Sequence, residues 1–419
     1  AQVFRLADAV KTKCPNALVH VDAPKLAVYA DTSVFRAKQP LESKTRLDAL
    51  GTEDDVLIAK VPPGREDLQA GIVVDGVNMP VTQSMALYPP ALVAFWAALG
   101  NDVTNVEHDA VITLSHNVCL LGEPTRCSSV FIRRCYPRLL ETCWELIHDE
   151  GINTPHFVLL GNPGIGKTFF GYVILHRLAR EGATVVYEVG GSRKRFRFSR
   201  DTTVQGPERD FVSILNQQTT YYIVDVARPM YTPTKTILLT SARRSVWYEF
   251  SKMNCESLCM PVWSRKEIIK CRDVLYQNLD VSMVNNHFHR WGGIARHVLE
   301  RARSSISSEK AIDAADLDSL VDACGRQLDA NEAQTSHSLL HFHVNMDFDM
   351  EYAVFASEHV RHEVYKRLYE TDKRKLLAFI AAIGREGSAL FPSLVGFYLK
   401  AMHFKGVISK SATSLIRSN

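Results

Sequence analysis

Long apolar segments are missing from this sequence. The longest of them, residues 91–99 and 376–383, fall well short of the ~18 apolar residues that a membrane-spanning helix needs. We therefore expect no membrane span. A cationic stretch followed by an apolar one, which would mark a secretion signal, is also missing. Because the chain begins with Ala1 rather than Met, this second absence says nothing about a leader.

The sequence also lacks a strong charge of either sign and a recognisable set of metal-binding cysteines. The net charge is +3, which alone favours neither nucleic acid nor a membrane as a partner. Cys255 and Cys259 could bind zinc together with His287 and His289, but no second close cysteine pair accompanies them. Free thiols and a reducing compartment fit the 9 cysteines better. With 46% hydrophobic residues, the chain can form packed cores in two to four domains.

A glycine-rich loop stands between a predicted strand and a predicted helix. The strand is Phe157–Leu160, and the helix carries apolar residues at helical spacing before it ends near Glu181-Gly182. The loop reads Gly161-Asn162-Pro163-Gly164-Ile165-Gly166-Lys167-Thr168. In a P-loop of this kind, backbone N–H groups surround the phosphates, the lysine reaches the β- and γ-phosphates, and the hydroxyl binds Mg²⁺. The segment therefore predicts binding of a nucleoside triphosphate, with ATP and Mg²⁺ as the expected ligands.

Polar residues at the ends of the next strands complete the predicted site. Tyr221–Asp225 is an apolar run that ends in an acid. In P-loop enzymes, a strand of this kind brings an Asp to the Mg²⁺ shell. Val226 follows where many such enzymes have a catalytic acid. Our candidate base is therefore Glu188, at the end of the strand after the P-loop helix, although it could equally just cap that strand. Ser241 follows a further predicted strand and is expected to contact the γ-phosphate.

Two arginines are candidates for neutralising charge in the transition state. Arg243 lies two residues after Ser241 and could act in cis or across a homo-oligomer. Arg296 ends the segment Trp291–Arg296, in which a pair of glycines opens a predicted helix. For both, an ordinary surface arginine is the open alternative.

The densest basic run is Arg193–Arg200, in which two phenylalanines alternate with arginines. Such a pattern could follow a nucleic-acid backbone and stack on bases, or could serve as a nuclear-import signal. We favour a third interpretation, the solvated edge of a β-hairpin.

The predicted fold class is α/β, with a P-loop NTPase three-layer sandwich, an N-terminal ubiquitin-like domain and a helical C-terminal segment. Composition and turn signals divide the chain into four segments: 1–63 (the ubiquitin-like module), 64–150 (a connecting region), 151–325 (the NTPase domain) and 326–419 (a linker and a mainly helical segment).

Particular elements are expected within these segments. The first contains a helix over Val3–Lys13 and strands at Leu26–Tyr29 and Val56–Ile58, and the second ends in a helix from about 137 to 148. The last begins with a strand at Leu339–Val344 and continues as helices.

Several of these segments together resemble the Crinkler effectors. Val130–Tyr136 is similar to the Tyr-Val-Arg-x-Cys-Tyr element before the P-loop of that family, and Met260–Ser264 and Gly292–Arg296 look like its downstream elements. Ala295 stands where the family often has Pro. Trypanosome retrotransposon hot spot proteins share this ATPase. Near the N-terminus, Leu6–Lys11 and Leu26–Tyr29 resemble the ubiquitin-like Crinkler header, and the match decays after Tyr29.

The resemblance implies a protein secreted by a microbe and delivered into a host cell, commonly to its nucleus, where it meets an unidentified host protein or nucleic acid. Leu394–Lys400 resembles the first helix of the nuclease domain that many Crinklers carry. Lys400 stands where that helix would have a metal-binding Glu, and few residues follow it. We therefore do not expect a nuclease.

The sequence as a whole predicts a Crinkler-type effector that hydrolyses ATP at the β–γ bond with Mg²⁺. Two alternatives stay open. A nucleotide-gated interaction module with negligible turnover is favoured by the missing acid after Asp225, and a nucleic-acid-binding ATPase would use the run Arg193–Arg200.

Overall fold

The computed structural model describes residues 27–29, 58–60, 72–74, 77–79, 85–115, 117–149, 151, 156–190, 194–241, 244–252, 255–300, 312–313, 315, 339–371 and 373–375. The chain divides into two compact units, Ala1–Thr82 and Gln83–Asn419. The structure divides the chain once, after Thr82, and the boundaries suggested by the sequence after residues 63, 150 and 325 stay a prediction.

The described residues of the first unit form two antiparallel strand pairs. β1 (Ala27–Tyr29) pairs with β2 (Ile58–Lys60), and β3 (Ile72–Val74) pairs with β4 (Val77–Met79). The strand expected at 26–29 is therefore confirmed, and the next one begins two residues later than its predicted start. The predicted helix over 3–13 and the remainder of the predicted ubiquitin-like module lie outside the described residues.

The second unit is built on an eight-stranded sheet in the order β14-β8-β13-β12-β9-β10-β11-β5. The five strands from β14 to β9 are parallel, and the three beyond β9 are antiparallel. Their bounds are β5 (Ala86–Leu87), β8 (His156–Leu160), β9 (Val185–Val189), β10 (Lys194–Phe198), β11 (Thr203–Pro207), β12 (Tyr221–Asp225), β13 (Lys235–Leu239) and β14 (Cys255–Cys259). The second unit is thus a mixed α/β fold in which parallel strands dominate.

Helices and two small hairpins surround this sheet. The hairpins are β6 (Val111–Thr113) with β7 (Ser129–Phe131) and β15 (Leu340–Val344) with β16 (Met350–Phe355). The helices are α1 (Pro90–Asn101), α2 (Tyr136–Ile147), α3 (Lys167–Glu181), α4 (Val212–Leu215), α5 (Arg244–Ser251), α6 (Arg265–Leu275), α7 (Val281–Trp291) and α8 (Glu358–Thr371), with a π-helical turn over Arg296–Glu300. No helix of the described residues is both long and apolar enough to cross a bilayer.

The three central parallel strands bring their carboxyl ends to one edge of the sheet. β8 and β12 are buried along their whole length, as their apolar sequences predict. β13 lies between them, with Leu239 opposite both Asp225 and Leu159. Because parallel strands end at the same edge, the loops after them meet there, which is where α/β sheets bind their ligands.

The helix expected after the P-loop is confirmed, including its end. α3 stops at Glu181 because Gly182, at φ +69°, adopts the left-handed conformation that caps helix C-termini. The helix expected at 137–148 is also confirmed as α2.

The basic run is not an edge strand, and that interpretation was wrong. β10 lies inside the sheet between β9 and β11. Arg195 and Arg197 are fully buried, so neither can contact a nucleic-acid backbone in this fold. Arg195 is accommodated because it forms ion pairs with Glu188 at 2.8 Å and with Glu208 at 2.9 Å. Arg193 lies outside the described residues.

The region expected only to connect two domains packs directly on the P-loop helix. Phe95 of α1 meets Tyr172 of α3 edge-on, with ring centroids 6.3 Å apart. Trp96 stacks on Phe198 and donates its indole N–H to the Ser199 carbonyl. Residues 85–149 therefore belong to the core of the second unit.

The C-terminal part of the second unit begins with the expected strand, found as β15, one residue later than predicted. A second strand, β16, follows it where a helix was expected. The turn between them is stabilised by Asn345, whose side-chain oxygen accepts hydrogen bonds from the N–H groups of Asp347 and Asp349. The helix α8 comes only after this hairpin, and the nuclease-like segment 394–400 lies outside the described residues.

Candidate nucleotide site

The loop between β8 and α3 adopts a conformation that requires glycine at two positions. Gly164 and Gly166 have φ values of +82° and +108°. A Cβ atom at Gly164 would lie 2.8 Å from Cβ of Arg296, and one at Gly166 would lie 2.7 Å from the Tyr136 hydroxyl. The loop leads into the N-terminus of α3, whose free N–H groups favour an anion.

Lys167, the first residue of α3, is buried beneath this loop. Its Nζ donates hydrogen bonds to the carbonyls of Gly161 and Asn162, at 2.7 and 2.8 Å. Burial lowers the pKa of Lys167 from 10.5 to about 7. A buried ammonium group held only by carbonyls has no full counter-charge, and a phosphate group would supply one.

Thr168 and Asp225 form the second half of the site. The Thr168 hydroxyl donates to Oδ1 of Asp225 at 3.1 Å, and the Tyr187 hydroxyl donates to Oδ2 at 3.4 Å. Burial raises the pKa of Asp225 above its usual value, so a nearby cation would favour its charged form.

These residues fit the demands of Mg²⁺ with a bound triphosphate. Mg²⁺ in such sites uses one or two protein oxygens, and phosphate and water oxygens fill the rest of its octahedron. Thr168 and Asp225 offer that number of oxygens. Among the described residues, no group of three or more His, Cys, Asp or Glu side chains could hold a metal without such help.

An arginine and a tryptophan hold the P-loop from behind. Arg133 is fully buried and donates to the carbonyls of Ile165 and Pro261, at 3.2 and 2.9 Å. Its guanidinium lies 4.6 Å from the ring centroid of Trp263. Trp263 in turn donates its indole N–H to the Ile165 carbonyl at 2.7 Å. The loop backbone is therefore fixed by side chains from two distant segments.

Two further contacts complete this support. The Tyr136 hydroxyl donates to the Gly166 carbonyl at 2.8 Å. Glu267 accepts a hydrogen bond from the Arg134 N–H at 3.1 Å and caps α6 through a reciprocal pair of bonds with Ser264. The three Crinkler-like segments next to the P-loop, Val130–Tyr136, Met260–Ser264 and Gly292–Arg296, thus contribute to the same loop or to its support.

The C-terminal hairpin also contacts the P-loop. Asn162 donates through Nδ2 to the Leu340 carbonyl at 2.6 Å and accepts through Oδ1 from the Phe342 N–H at 3.1 Å. Its amide therefore pairs with β15 much as a neighbouring strand would. Since Asn162 is buried, these two bonds have no competition from water.

A cavity of about 500 Å³ opens in front of the loop. Its lining includes the P-loop lysine and the Thr168–Asp225 pair together with several apolar side chains. The cavity is lined by Cys127, Ser128, Ser129, Phe131, Tyr136, Pro163, Gly164, Gly166, Lys167, Thr168, Phe169, Asp225, Val226, Ser241, Trp263, Cys271, Leu275, Tyr276, Ala295, Arg296, Leu299 and Glu300. Its volume falls in the range of small-ligand sites.

Two more of the predicted residues lie at this cavity. Ser241 is buried two residues after the end of β13 and lines the cavity together with Lys167 and Thr168. Arg296 begins the π-helical turn and donates its backbone N–H to the Gly164 carbonyl at 3.2 Å. Its side chain is 47% exposed and reaches Glu300 at 4.0 Å. Arg243 lies outside the described residues.

The structure does not bring Glu188 to the cavity. Its carboxylate pairs with Arg195 at 2.8 Å and accepts a short hydrogen bond from the Tyr222 hydroxyl. Tyr187, the preceding residue, is the one that reaches Asp225. Because successive side chains of a strand point to opposite faces, Glu188 faces away from Asp225 and Thr168.

Several residues near the site were not found from the sequence. Arg126 donates a short hydrogen bond to the Tyr172 hydroxyl, and its charge acts on Asp225. Tyr276 and Glu300 line the cavity. No local pattern marks these residues. Tyr136 and Trp263, in contrast, lie within the Crinkler-like segments and could have been found there.

The four residues considered as possible zinc ligands, for which free thiols were preferred, are not among any described group of three that could hold a metal ion. Cys255 and Cys259 lie at the two ends of β14, while His287 and His289 belong to α7. Burial raises the pKa of both thiols to about 12, so each is held as a neutral thiol.

Comparison with known proteins gives two relatives with the expected name. Crinkler effector protein 16 of Phytophthora infestans is 22% identical over an alignment of 456 residues. The alignment covers 95% of this chain and 72% of that protein. Crinkler effector protein 15 of the same organism is 22% identical over 290 residues, or 65% of this chain and 45% of the relative. This second match spans less than half of that relative's length. The resemblance to the Crinkler effectors is thus confirmed, and the link to the trypanosome proteins stays a prediction.

No protein-family model matches the chain. Among solved structures, the RuvB Holliday junction branch migration motor of Thermotoga maritima aligns with 59% of this chain and 80% of its own, at 12% identity and a TM-score of 0.28. A TM-score this low does not establish a shared fold.

Proposed function

We propose that this Crinkler-like chain is an effector whose second unit binds a nucleoside triphosphate, with ATP as the expected ligand, and hydrolyses it at the β–γ bond with Mg²⁺. The three-layer P-loop NTPase fold belongs to the same proposal. One observation carries it. Lys167, Thr168 and Asp225 meet at the carboxyl edge of the parallel sheet, beneath a loop shaped for phosphates.

Each residue of the site has a proposed role. Lys167 exchanges its two carbonyl partners for β- and γ-phosphate oxygens, and the backbone from Gly161 to Gly166 surrounds the same phosphates. Thr168 and Asp225 would hold Mg²⁺, which neutralises the charge that develops on the phosphates. Ser241 contacts the γ-phosphate, and the half-exposed Arg296 turns toward it.

Arg243 stays a proposal as a second cation for the transition state. Glu188 is not part of the proposed machinery, because its carboxylate is bound to Arg195 on the other face of the sheet.

A second candidate function is a nucleotide-gated interaction module with negligible turnover. It is favoured by the carboxylates of the cavity. Among the described lining residues, only Asp225 and Glu300 carry one, and Asp225 already bonds to Thr168. No described carboxylate is therefore placed to orient an attacking water at the magnesium end.

Delivery and location are proposals that come from the similarity to Crinkler effectors. We propose secretion by a microbe and action inside a host cell, in its nucleus, with residues 1–63 as a ubiquitin-like header. The paired strands at 27–29 and 58–60 are compatible with a small sheet there.

Phosphate release from ATP with Mg²⁺ tests the proposed function. We expect Lys167→Ala to lose nucleotide binding, since the P-loop lysine is the cation closest to the phosphates, and Asp225→Ala to bind nucleotide but lose turnover. Glu188→Gln should retain turnover in the fraction that folds. Lys266→Ala, an exposed lysine on α6, serves as the control and should behave as the intact chain.

The outcomes separate the two candidate functions. Turnover that is lost in Lys167→Ala and Asp225→Ala supports a hydrolase. Measurable ATP affinity without turnover supports the gated module. Unchanged ATP affinity in Lys167→Ala would refute both candidate functions. Loss of turnover in well-folded Glu188→Gln would show that Glu188 takes part in hydrolysis.

A further inference from the structure

Glu300 has a carboxylate in the cavity and no role in the proposed hydrolysis. It ends the π-helical turn that begins at Arg296, and its side chain is 46% exposed. Its described ionic partner is Arg296, whose Nε lies 4.0 Å away, at the limit of an ion pair. A partly exposed pair at this distance contributes little to stability, so the position calls for another explanation.

The location of Glu300 along the cavity follows from the turn on which it lies. Arg296 rests on the P-loop, because its N–H bonds to the Gly164 carbonyl at 3.2 Å and its Cβ lies against Gly164. Side chains four residues apart on a helix lie about 5–6 Å from each other. Glu300 is therefore one helical turn beyond the phosphate end.

Tyr276 and Cys127 line the cavity together with Glu300. Burial raises the pKa of both side chains, and the negative charge of Glu300 adds to the effect, so its carboxylate lies close to them. Leu275 and Leu299 also line the cavity, and their apolar side chains would form a slot for a flat base.

A nucleotide that lies along the cavity would place its parts in a fixed order. Its phosphates meet Gly164 and Lys167, its base enters the apolar slot, and its sugar lies between them. A carboxylate only accepts hydrogen bonds, and a ribose presents two neighbouring hydroxyl donors. Carboxylates bind the ribose 2′-hydroxyl in the same way in dinucleotide sites.

We propose that Glu300 binds the 2′- and 3′-hydroxyls of the bound nucleotide and so selects ribonucleoside over 2′-deoxyribonucleoside triphosphates. The inference rests on the proposed function, because it concerns the same cavity. It assigns a sugar specificity to the part of that cavity between the phosphate loop and the apolar slot, where the phosphate chemistry has no part.

The affinities of the full chain for ATP, 2′-deoxy-ATP and inorganic triphosphate, each with Mg²⁺, test the inference. We expect ATP to bind at least about 10-fold more tightly than 2′-deoxy-ATP, as is typical when a hydrogen bond to a charged group is lost. In Glu300→Ala the affinities for ATP and 2′-deoxy-ATP should become equal to within about twofold, because ATP loses two hydroxyl contacts and 2′-deoxy-ATP loses only that of its 3′-hydroxyl, while the affinity for triphosphate stays within about twofold. Glu300→Gln, which keeps an accepting oxygen, should lie between.

Two control variants separate a sugar contact from an effect through Arg296. Arg296→Met should lower the affinities for all three ligands alike and leave the ratio of the affinities for ATP and 2′-deoxy-ATP unchanged. Glu107→Ala removes an exposed carboxylate away from the cavity and should change nothing.

Equal affinity of the intact chain for ATP and 2′-deoxy-ATP would overturn the inference and leave nucleotide binding intact. Equal weakening of both nucleotides in Glu300→Ala would also overturn it, because Glu300 would then act through Arg296. Absence of binding by any of the three ligands would overturn the proposed function and this inference together.

Discussion

Burial of Lys167 in the free protein makes its charge depend on whether a triphosphate is bound. A lysine buried with only two carbonyl partners loses much of its hydration, and its pKa falls to about 7 as a result. An arriving triphosphate restores the charged form. The cost of burial is thus recovered only when the ligand is bound, which favours the complex over the free protein.

Proton uptake on binding should reveal this behaviour. Above pH 7 the free Lys167 is mostly neutral, so binding of a triphosphate at pH 8 should take up close to one proton. Affinity should fall by up to about tenfold per pH unit as the pH rises above 7. Calorimetry in two buffers with different ionisation enthalpies measures the uptake. Lys167→Arg stays charged and should show none from this position. Affinity that does not change between pH 6.5 and 9 would contradict the low pKa.

The lowered pKa of Lys167 also makes the free energy of unfolding depend on pH. In the unfolded chain the Lys167 pKa returns to 10.5, so the unfolded state binds more protons between pH 7 and 10.5. This lysine therefore raises the free energy of unfolding as the pH increases through that window.

At the scale of elements, three segments far apart in the chain meet at one loop. Arg133 and Tyr136 come from the start of α2 and the residues just before it, Trp263 from the segment before α6, and Arg296 from the π-helical turn. Each holds a backbone carbonyl of the loop or its neighbour. The loop keeps its shape without ligand because these groups fix it, which reduces the entropy lost on binding.

Asn162 links this loop to the C-terminal hairpin, and Asn162→Leu tests the link. The substitution leaves the Leu340 carbonyl and the Phe342 N–H without their partner in a buried place. We expect the free energy of unfolding to fall by about 2–4 kcal/mol, measured by denaturant unfolding. Asn105→Leu, in an exposed loop, is the control and should change it by less than about 0.5 kcal/mol. A change as small as that of the control would show that the hairpin does not depend on Asn162.

At the scale of the whole molecule, the second unit contains every described residue of the site. The chain divides after Thr82, and the sheet, the P-loop and the C-terminal hairpin all belong to residues 83–419. Residues 85–149 provide an edge strand of the sheet and the helix α1 that covers α3. A shorter fragment that began at the P-loop would lack both.

Deletion experiments can test this division. A chain of residues 83–419 should fold and bind ATP with an affinity within about twofold of the full chain, because the first unit supplies no described residue of the cavity. A chain of residues 151–419 should fail to fold, since it exposes the apolar face of α3. The fractions that are soluble and that bind ATP are the measured quantities. Loss of binding in the 83–419 chain would mean that the first unit completes the site.

The sequence by itself determined the local elements around the phosphate loop. The glycines, the buried strand before them and the helix up to Gly182 follow from short-range patterns, because backbone conformation and periodicity are local properties. The ends of β12 and β13 were likewise visible as apolar runs with a polar end. The likeness to Crinkler effectors also depended on short segments in a fixed order.

Only the tertiary structure decided which side chains meet. Glu188 and Tyr187 are neighbours in sequence, yet the alternation of the strand sends Tyr187 to Asp225 and Glu188 to Arg195. The same strand pairing buries Arg195 and Arg197, which as a sequence resemble a basic surface. Glu300 gives no local signal, because its place in the cavity depends on how a distant helical turn rests on the loop. Contacts between distant segments depend on packing, and the linear pattern of residues does not encode packing directly.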